Sequence, residues 1–169
     1  MSTQEDTYEL ACILGQTALR RGFKLATAES CTAGGVGFAI TAVAGSSQWF
    51  DRGFITYTNE AKHEMLGVSN DTLNQFGAVS CETAREMASG AIKNSHADAA
   101  VSVTGIAGPG GEVPGKPVGT VCFGTAVRAG SALRVRGVRM HFDGCRDDVR
   151  RQSIDFAIRM LNEEIDQTQ

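Results

Sequence analysis

A serine, a lysine and a glycine-rich loop carry most of the chemistry legible in the chain. Ser30 stands in Ala28-Glu29-Ser30-Cys31-Thr32-Ala33-Gly34-Gly35, where an apolar stretch gives way to small residues. The pattern predicts a strand that ends on a turn and enters a small-residue helix over 32–43. Backbone N–H groups at such a helix start face outward and carry partial positive charge. Those of Cys31, Thr32, Gly34 and Gly35 would then stabilise an oxyanion beside Ser30, and the glycines would let a ligand approach the backbone. The plainer alternative is a serine N-cap followed by glycines for tight helix packing. Cys31 is a rival nucleophile, although buried cysteines are usually inert.

A serine nucleophile needs a base. The three histidines are His63, His96 and His141, and none falls at the end of a strand feeding a helix. No metal-ligand spacing links them, so no metal site is expected. Lysine is the better base. Lys62 follows the stretch Gly53-Phe54-Ile55-Thr56-Tyr57, read as a strand, and lies in the first turn of a helix capped at Asn59. The helix dipole disfavours a cation there. Burial would disfavour it further, and both effects push the amine toward its neutral, proton-accepting form. Tyr57, at the end of that strand, is within reach of either partner. In isolation Lys62 reads equally as a surface lysine beside Glu60 or Glu64.

A second cluster begins at Thr104-Gly105-Ile106-Ala107-Gly108, where an apolar run enters a loop with five glycines between 105 and 115. Successive loop amides of this kind form nests for anions or carbonyl oxygens. Neither a P-loop nor a dinucleotide fingerprint fits, because no Gly-Lys-Ser/Thr follows at the right spacing and a strand, not a helix, comes next. Arg146 opens the last helix, the unfavourable end for a cation. Asp147 and Asp148 would offset it there, and so would a bound phosphate held by the guanidinium fork. Seven arginines against three aspartates between Arg128 and Arg151 give that stretch a balance of +4. This is either a solvated face or an anion-binding edge.

The elements that position these residues follow from periodicity. Helices are expected over 5–21, 32–43, 59–67, 81–94 and 145–165, with a further short one ending at Gly77. Strands are expected over 23–28, 53–57, 99–104, 118–127 and 133–142, the last two joined as a hairpin across 128–131. Alternating strands and helices followed by a hairpin give an α/β fold. The expected architecture is a three-layer α/β/α single domain with a mixed central sheet, spanning 1–169 with its core over about 8–162.

Composition narrows the function classes. The chain has 169 residues, 42% of them hydrophobic and 21% charged, as in an ordinary globular domain. A net charge of −3 argues against nucleic-acid or membrane-surface partners. Ser30 to Phe50 carries no charge, but its glycines and serines suit a buried, closely packed segment and not a spanning helix. Five cysteines without a Cys-x-x-Cys pair, behind a polar acidic start, point to free thiols in a reducing cytoplasm.

Taken together, T-A-E-S-C-T-A-G-G, R-G-F-I-T-Y-T-N-E-A-K, S-V-T-G-I-A-G-P-G-G, K-P-V-G-T-V and R-D-D-V-R-R-Q resemble the CinA C-terminal domain family over roughly residues 8–162. The resemblance implies an α/β/α amidohydrolase that converts nicotinamide mononucleotide to nicotinate mononucleotide and ammonia. It implies no cofactor or metal, and a homo-oligomer. It places the family's serine at Ser30, its lysine at Lys62, its tyrosine at Tyr57, its threonine at Thr104 and its arginine at Arg146. Tyr57 and Thr104 would orient the dyad and relay a proton. The Cys31–Gly35 amides, with Gly105 and Gly108, would hold substrate. In one departure Ala33 replaces the first glycine of E-S-C-T-G-G, which costs about 1 kcal/mol if the backbone there is left-handed and nothing if it is helical. Three other readings stand beside this one: a non-catalytic nucleotide-binding module, an amidase or esterase with a different substrate, and a DNA role implied by the family's link to competence, against which the acidic net charge argues.

Overall fold

Strand order, more than any single element, brings the candidate residues together. The computed structural model describes residues 4–168. Along the chain lie α1 (Gln4–Arg21), β1 (Leu25–Glu29), α2 (Gly35–Thr41), β2 (Phe50–Ile55), α3 (Asn59–Leu66), α4 (Asn70–Phe76), α5 (Cys81–Lys93), β3 (Ala99–Gly105), β4 (Thr120–Ala129), β5 (Ala132–His141) and α6 (Arg146–Asp166). The five strands form one sheet in the order β2-β1-β3-β4-β5. β1 is parallel to β2 and β3, whereas β4 and β5 are antiparallel additions. The sheet is therefore mixed, as expected.

Helices cover both faces. On one side Leu14 and Ala18 of α1, Val36 and Ile40 of α2, and Ile158 and Leu161 of α6 pack on Leu25, Val101, Val103 and Phe123. On the other, Met87, Ala88 and Ala91 of α5, with Leu66 and Leu73, pack on Ala26, Ala28, Ala100 and Ala126. Alternation along each strand sorts side chains between the two layers. β1 and β3 are almost wholly buried, so their sequences read as continuous runs of small or apolar residues.

Boundaries differ from the sequence expectations in places that matter. The second helix begins at Gly35, not at 32, because Ala33 (φ 47°) and Gly34 (φ 94°) adopt left-handed backbone that no helix admits. β2 stops at Ile55, so Tyr57 lies in the loop beyond it. Thr58 caps α3, its hydroxyl accepting from Ala61 N, and Asn59 is the first helical residue. The hairpin loop is Gly130-Ser131 alone, since Ala129 pairs with Ala132. The uncharged run from Ser30 to Phe50 is only partly buried: α2 hides Val36, Ala39 and Ile40 but leaves Phe38 76% exposed. In α1, Ile13 shares the helical spacing of Leu10, Leu14 and Ala18 but is 44% exposed. Among the described residues no helix is long and apolar enough to cross a membrane.

Candidate active site

β1 leads through α2 to β2 on one side, and the chain then returns by α3–α5 to β3 on β1's other side. The carboxyl ends of β1 and β3 are therefore neighbours whose connections diverge, which is where open α/β sheets bind ligands. A cleft of about 170 Å³ opens there, lined by Ser30, Cys31, Tyr57, Lys62, Ala78, Val79, Thr104, Gly105, Ala107 and Arg146. Seven of the eleven site residues expected from sequence line it.

Ser30 directly follows β1, its N–H donating to Val103 O at 2.9 Å, so the sheet ladder fixes its position. Lys62 reaches it from the first turn of α3: Nζ lies 3.0 Å from Ser30 Oγ, 3.0 Å from Thr56 O and 3.1 Å from Tyr57 O. The side chain is 1% exposed, and no carboxylate forms an ion pair with it among the described residues. Burial lowers its pKa from 10.5 to about 8. A neutral lysine has two N–H donors and one lone pair. The two carbonyls match the donors, leaving the lone pair for the Ser30 hydroxyl, whose other acceptor within reach is Tyr57 O at 3.4 Å.

Cys31 is 5% exposed, and burial pushes its thiol up to about 11. It stays protonated near neutrality, which leaves Ser30 the better nucleophile of the two. Neither the amide of Cys31, which lies against its own thiol, nor that of Thr32 donates to a backbone oxygen among the described residues.

Other candidates stand differently from their expected roles. Thr104 donates its hydroxyl to Ala78 O at 2.8 Å and not toward the dyad, tying β3 to the segment before α5. Tyr57 contributes its carbonyl to Lys62, while its ring is 58% exposed and its hydroxyl accepts from Arg146 Nη2 at 3.4 Å. Thr32 turns its side chain away from the cleft and donates to Glu29 Oε1 at 2.7 Å. Gly34 and Gly35 are outside the cleft lining, and Gly35 N is already spent on Thr32 O. Gly108 sits at the rim, its carbonyl accepting from Arg146 Nη1 at 2.8 Å.

Arg146 thus bridges the glycine loop and Tyr57 across the mouth of the cleft. Neither Asp147 nor Asp148 is its ion-pair partner; Asp148 binds Arg151 and accepts from Cys145 N at the helix start. The wider arginine cluster is not one anion-binding edge. Arg134 and Arg136 pair with Glu164, Arg139 donates to Gly115 O, and Arg150 donates to Cys31 O. Two of the histidine rings are engaged elsewhere, His63 with Val68 O and His141 with Val118 O, and the backbone N–H of His96 donates to Asp51 Oδ2. Among the described residues no three His, Cys, Asp or Glu side chains gather as metal ligands do. Sequence reading missed Glu29; its signal was a lone charge ending the strand Leu-Ala-Thr-Ala-Glu directly before Ser30.

Fold and site together define a small α/β protein with a serine–lysine pair at the carboxyl edge of a mixed sheet. The chain belongs to the CinA C-terminal domain family, whose profile matches residues 7–165. It is 49% identical over 159 residues to the nicotinamide-nucleotide amidohydrolase PncC of Escherichia coli (strain K12), covering 94% of each chain. It is 41% identical over 160 residues to the CinA-like protein of Endomicrobium trichonymphae, of which the match covers 36%. Among solved structures, the competence/damage inducible protein CihA from Agrobacterium tumefaciens superposes with a TM-score of 0.89 at 46% identity, covering 96% of each chain. The competence damage-inducible protein A from Klebsiella pneumoniae superposes with a TM-score of 0.91 at 36% identity, covering 96% of this chain and 99% of that one.

Proposed function

We propose that the chain is a nicotinamide-nucleotide amidohydrolase that hydrolyses the carboxamide of nicotinamide mononucleotide by a serine–lysine mechanism. The observation that carries this reading is the 3.0 Å contact between Ser30 Oγ and the buried Lys62 Nζ, in a chain half identical to proteins of that name. Neutral Lys62 takes the Ser30 proton as Oγ attacks the carboxamide carbon. The tetrahedral oxyanion is held by the amides of Cys31 and Thr32. The C–N bond then breaks and Lys62 returns the proton to the departing ammonia. This route suits a Thr104 hydroxyl already committed to Ala78 O. Water, deprotonated by the same lysine, attacks the acyl ester and releases nicotinate mononucleotide. Arg146 has five donors and spends two on Gly108 O and Tyr57 Oη. Those that remain anchor the 5′-phosphate at the mouth of the cleft.

Ammonia release from nicotinamide mononucleotide tests the assignment, with Ser30→Ala expected to lower kcat by several powers of ten at unchanged fold. Activity within tenfold of wild type would remove Ser30 as the nucleophile. Equal turnover of phosphate-free carboxamides would move the assignment to another amidase. Binding of the nucleotide without ammonia release would make the protein a binding module. A homo-oligomer belongs to the same proposal, supported by the exposed Phe38 and Ile55 and checked by light scattering.

A further inference from the structure

The residue before the nucleophile is a buried carboxylate that the mechanism above does not use. Glu29 is 1% exposed and has no ion-pair partner among the described residues. Four donors surround it instead. Oε1 accepts from Thr32 Oγ1 at 2.7 Å and Val36 N at 2.8 Å; Oε2 accepts from Gly37 N at 3.0 Å and Thr27 Oγ1 at 3.2 Å. Val36 N and Gly37 N are orphan amides of the first turn of α2, whose own N-cap, Gly34, has no side chain to offer. Glu29 therefore caps the helix from the far side of the turn.

That turn needs an outside hold. Between Ser30 and Gly35 its only internal backbone bonds run from Ala33 N to Ser30 O and from Gly35 N to Thr32 O. Ala33 and Gly34 are both left-handed, a conformation that persists only where its surroundings impose it. On the strand side, Glu29 O accepts from Thr56 N at 2.8 Å and Ser30 N donates to Val103 O at 2.9 Å. On the helix side, the Glu29 carboxylate fixes the Thr32 hydroxyl and the first amides of α2, while from α6 Arg150 Nε donates to Cys31 O at 3.1 Å.

We infer that Glu29 is a positioning residue for the reaction: its carboxylate locks the 30–34 turn, and with it the Ser30 hydroxyl and the amides of Cys31 and Thr32, into the geometry of attack. The inference rests on the serine–lysine reading above. Glutamine at this position would turn an NH₂ group against a backbone N–H and free one side of the turn. Displacement of reacting groups by about 1 Å costs on the order of a hundredfold in rate.

The test compares Glu29→Gln, Thr32→Val and Thr32→Ser by two readouts, ammonia release from nicotinamide mononucleotide and the rate of Ser30 phosphonylation by a fluorophosphonate. In the second reaction a Ser30 O–P bond forms, fluoride leaves with the P–F electrons and Lys62 takes the proton, so it reports the turn without depending on the natural substrate. Glu29→Gln is expected to lose about a hundredfold in kcat and in labelling rate, with KM within threefold of wild type. The pH midpoint should stay near the wild-type value set by Lys62, about 8. Thr32→Val should lose about tenfold, and Thr32→Ser, which restores the hydroxyl to Glu29, should recover most of that loss.

A Glu29→Gln enzyme that melts earlier but keeps kcat within threefold overturns the inference, leaving a stability role only. A pH midpoint displaced by a unit also overturns it, because the carboxylate would then act through charge on the lysine. If Glu29→Gln does not fold, equal rates for the two Thr32 variants overturn it. Wild-type protein that labels at Ser30 but releases no ammonia refutes the substrate assignment, and the labelling rates still decide the role of Glu29. No labelling at Ser30 in wild type overturns both.

Discussion

An ammonium held away from water with no carboxylate beside it is costly, and Lys62 is such a group: 1% exposed, with only a hydroxyl and two carbonyls around Nζ. That cost moves its pKa down to about 8, within reach of working pH, which suits a general base. If Lys62 is the base, the active form is the neutral amine and activity falls as pH drops through that value. Below it kcat is expected to fall tenfold per unit, and above it to level off. Arginine keeps the charge but cannot release the proton. Lys62→Arg should therefore be as inactive as Lys62→Ala across the pH–rate profile, and an active Arg variant would make the lysine a fixed cation and not a base. At Ala33 the φ of 47° costs about 1–2 kcal/mol for a residue with a Cβ. Ala33→Gly recovers that and gives back about 0.4–1 kcal/mol through a freer unfolded chain. A net gain of about 0.5 kcal/mol in urea unfolding is expected, and a loss above about 1 kcal/mol would mean that the Ala33 methyl packs.

Between elements, the placement of Lys62 depends on how α3 leans on α5. Leu66, the last residue of α3, lies so close to Gly90 of α5 that a Cβ there would fall 2.0 Å from Leu66 O. Only glycine fits. Alanine would gain up to about 1 kcal/mol in helix propensity, but the overpacking costs about 1–3 kcal/mol because the obstacle is backbone and cannot rotate away. The clash wins. Gly90→Ala should lower the melting midpoint by several degrees, and kcat should fall with it if Lys62 is the base, since α3 must shift and α3 carries Lys62. Unchanged activity in a destabilised variant would show that Lys62 Nζ is held by the carbonyls of Thr56 and Tyr57 alone.

At the scale of the whole molecule the site is an assembly of distant segments. The turn after β1, the loop after β2, the end of β3 and the start of α6 converge on one cleft. Arg146 closes it from α6, donating to Gly108 O and to Tyr57 Oη. If its remaining donors hold the phosphate, Arg146→Ala should lower kcat/KM for the mononucleotide ten- to a hundredfold, the worth of a charge-assisted bidentate contact. The same change should barely affect nicotinamide riboside. Equal losses on both substrates would make Arg146 a strut between the glycine loop and Tyr57.

Much of this was legible in the sequence because it depends on local chemistry. Alternating periodicities set the helices and strands, small residues marked the fully covered β1 and β3, and a serine before the α5 pattern marks its cap at Ser80, whereas the cap of α3 is Thr58 and not the expected Asn59. Ser30 after a strand, Lys62 in a first turn and Arg146 at a helix start were each visible as groups in unusual positions. Tertiary structure alone decided how they meet. The 3.0 Å between Ser30 and Lys62 depends on β2 and β3 flanking β1, a choice of strand order that no local pattern encodes. The commitment of Thr104 to Ala78 O, the dispersal of the arginines among Glu164, Gly115 and Cys31, and the turning of Thr32 onto Glu29 depend on partners 3 to 119 residues away. Hydrogen-bonding capacity is a property of the residue, but its partner is fixed only when packing closes the space around it.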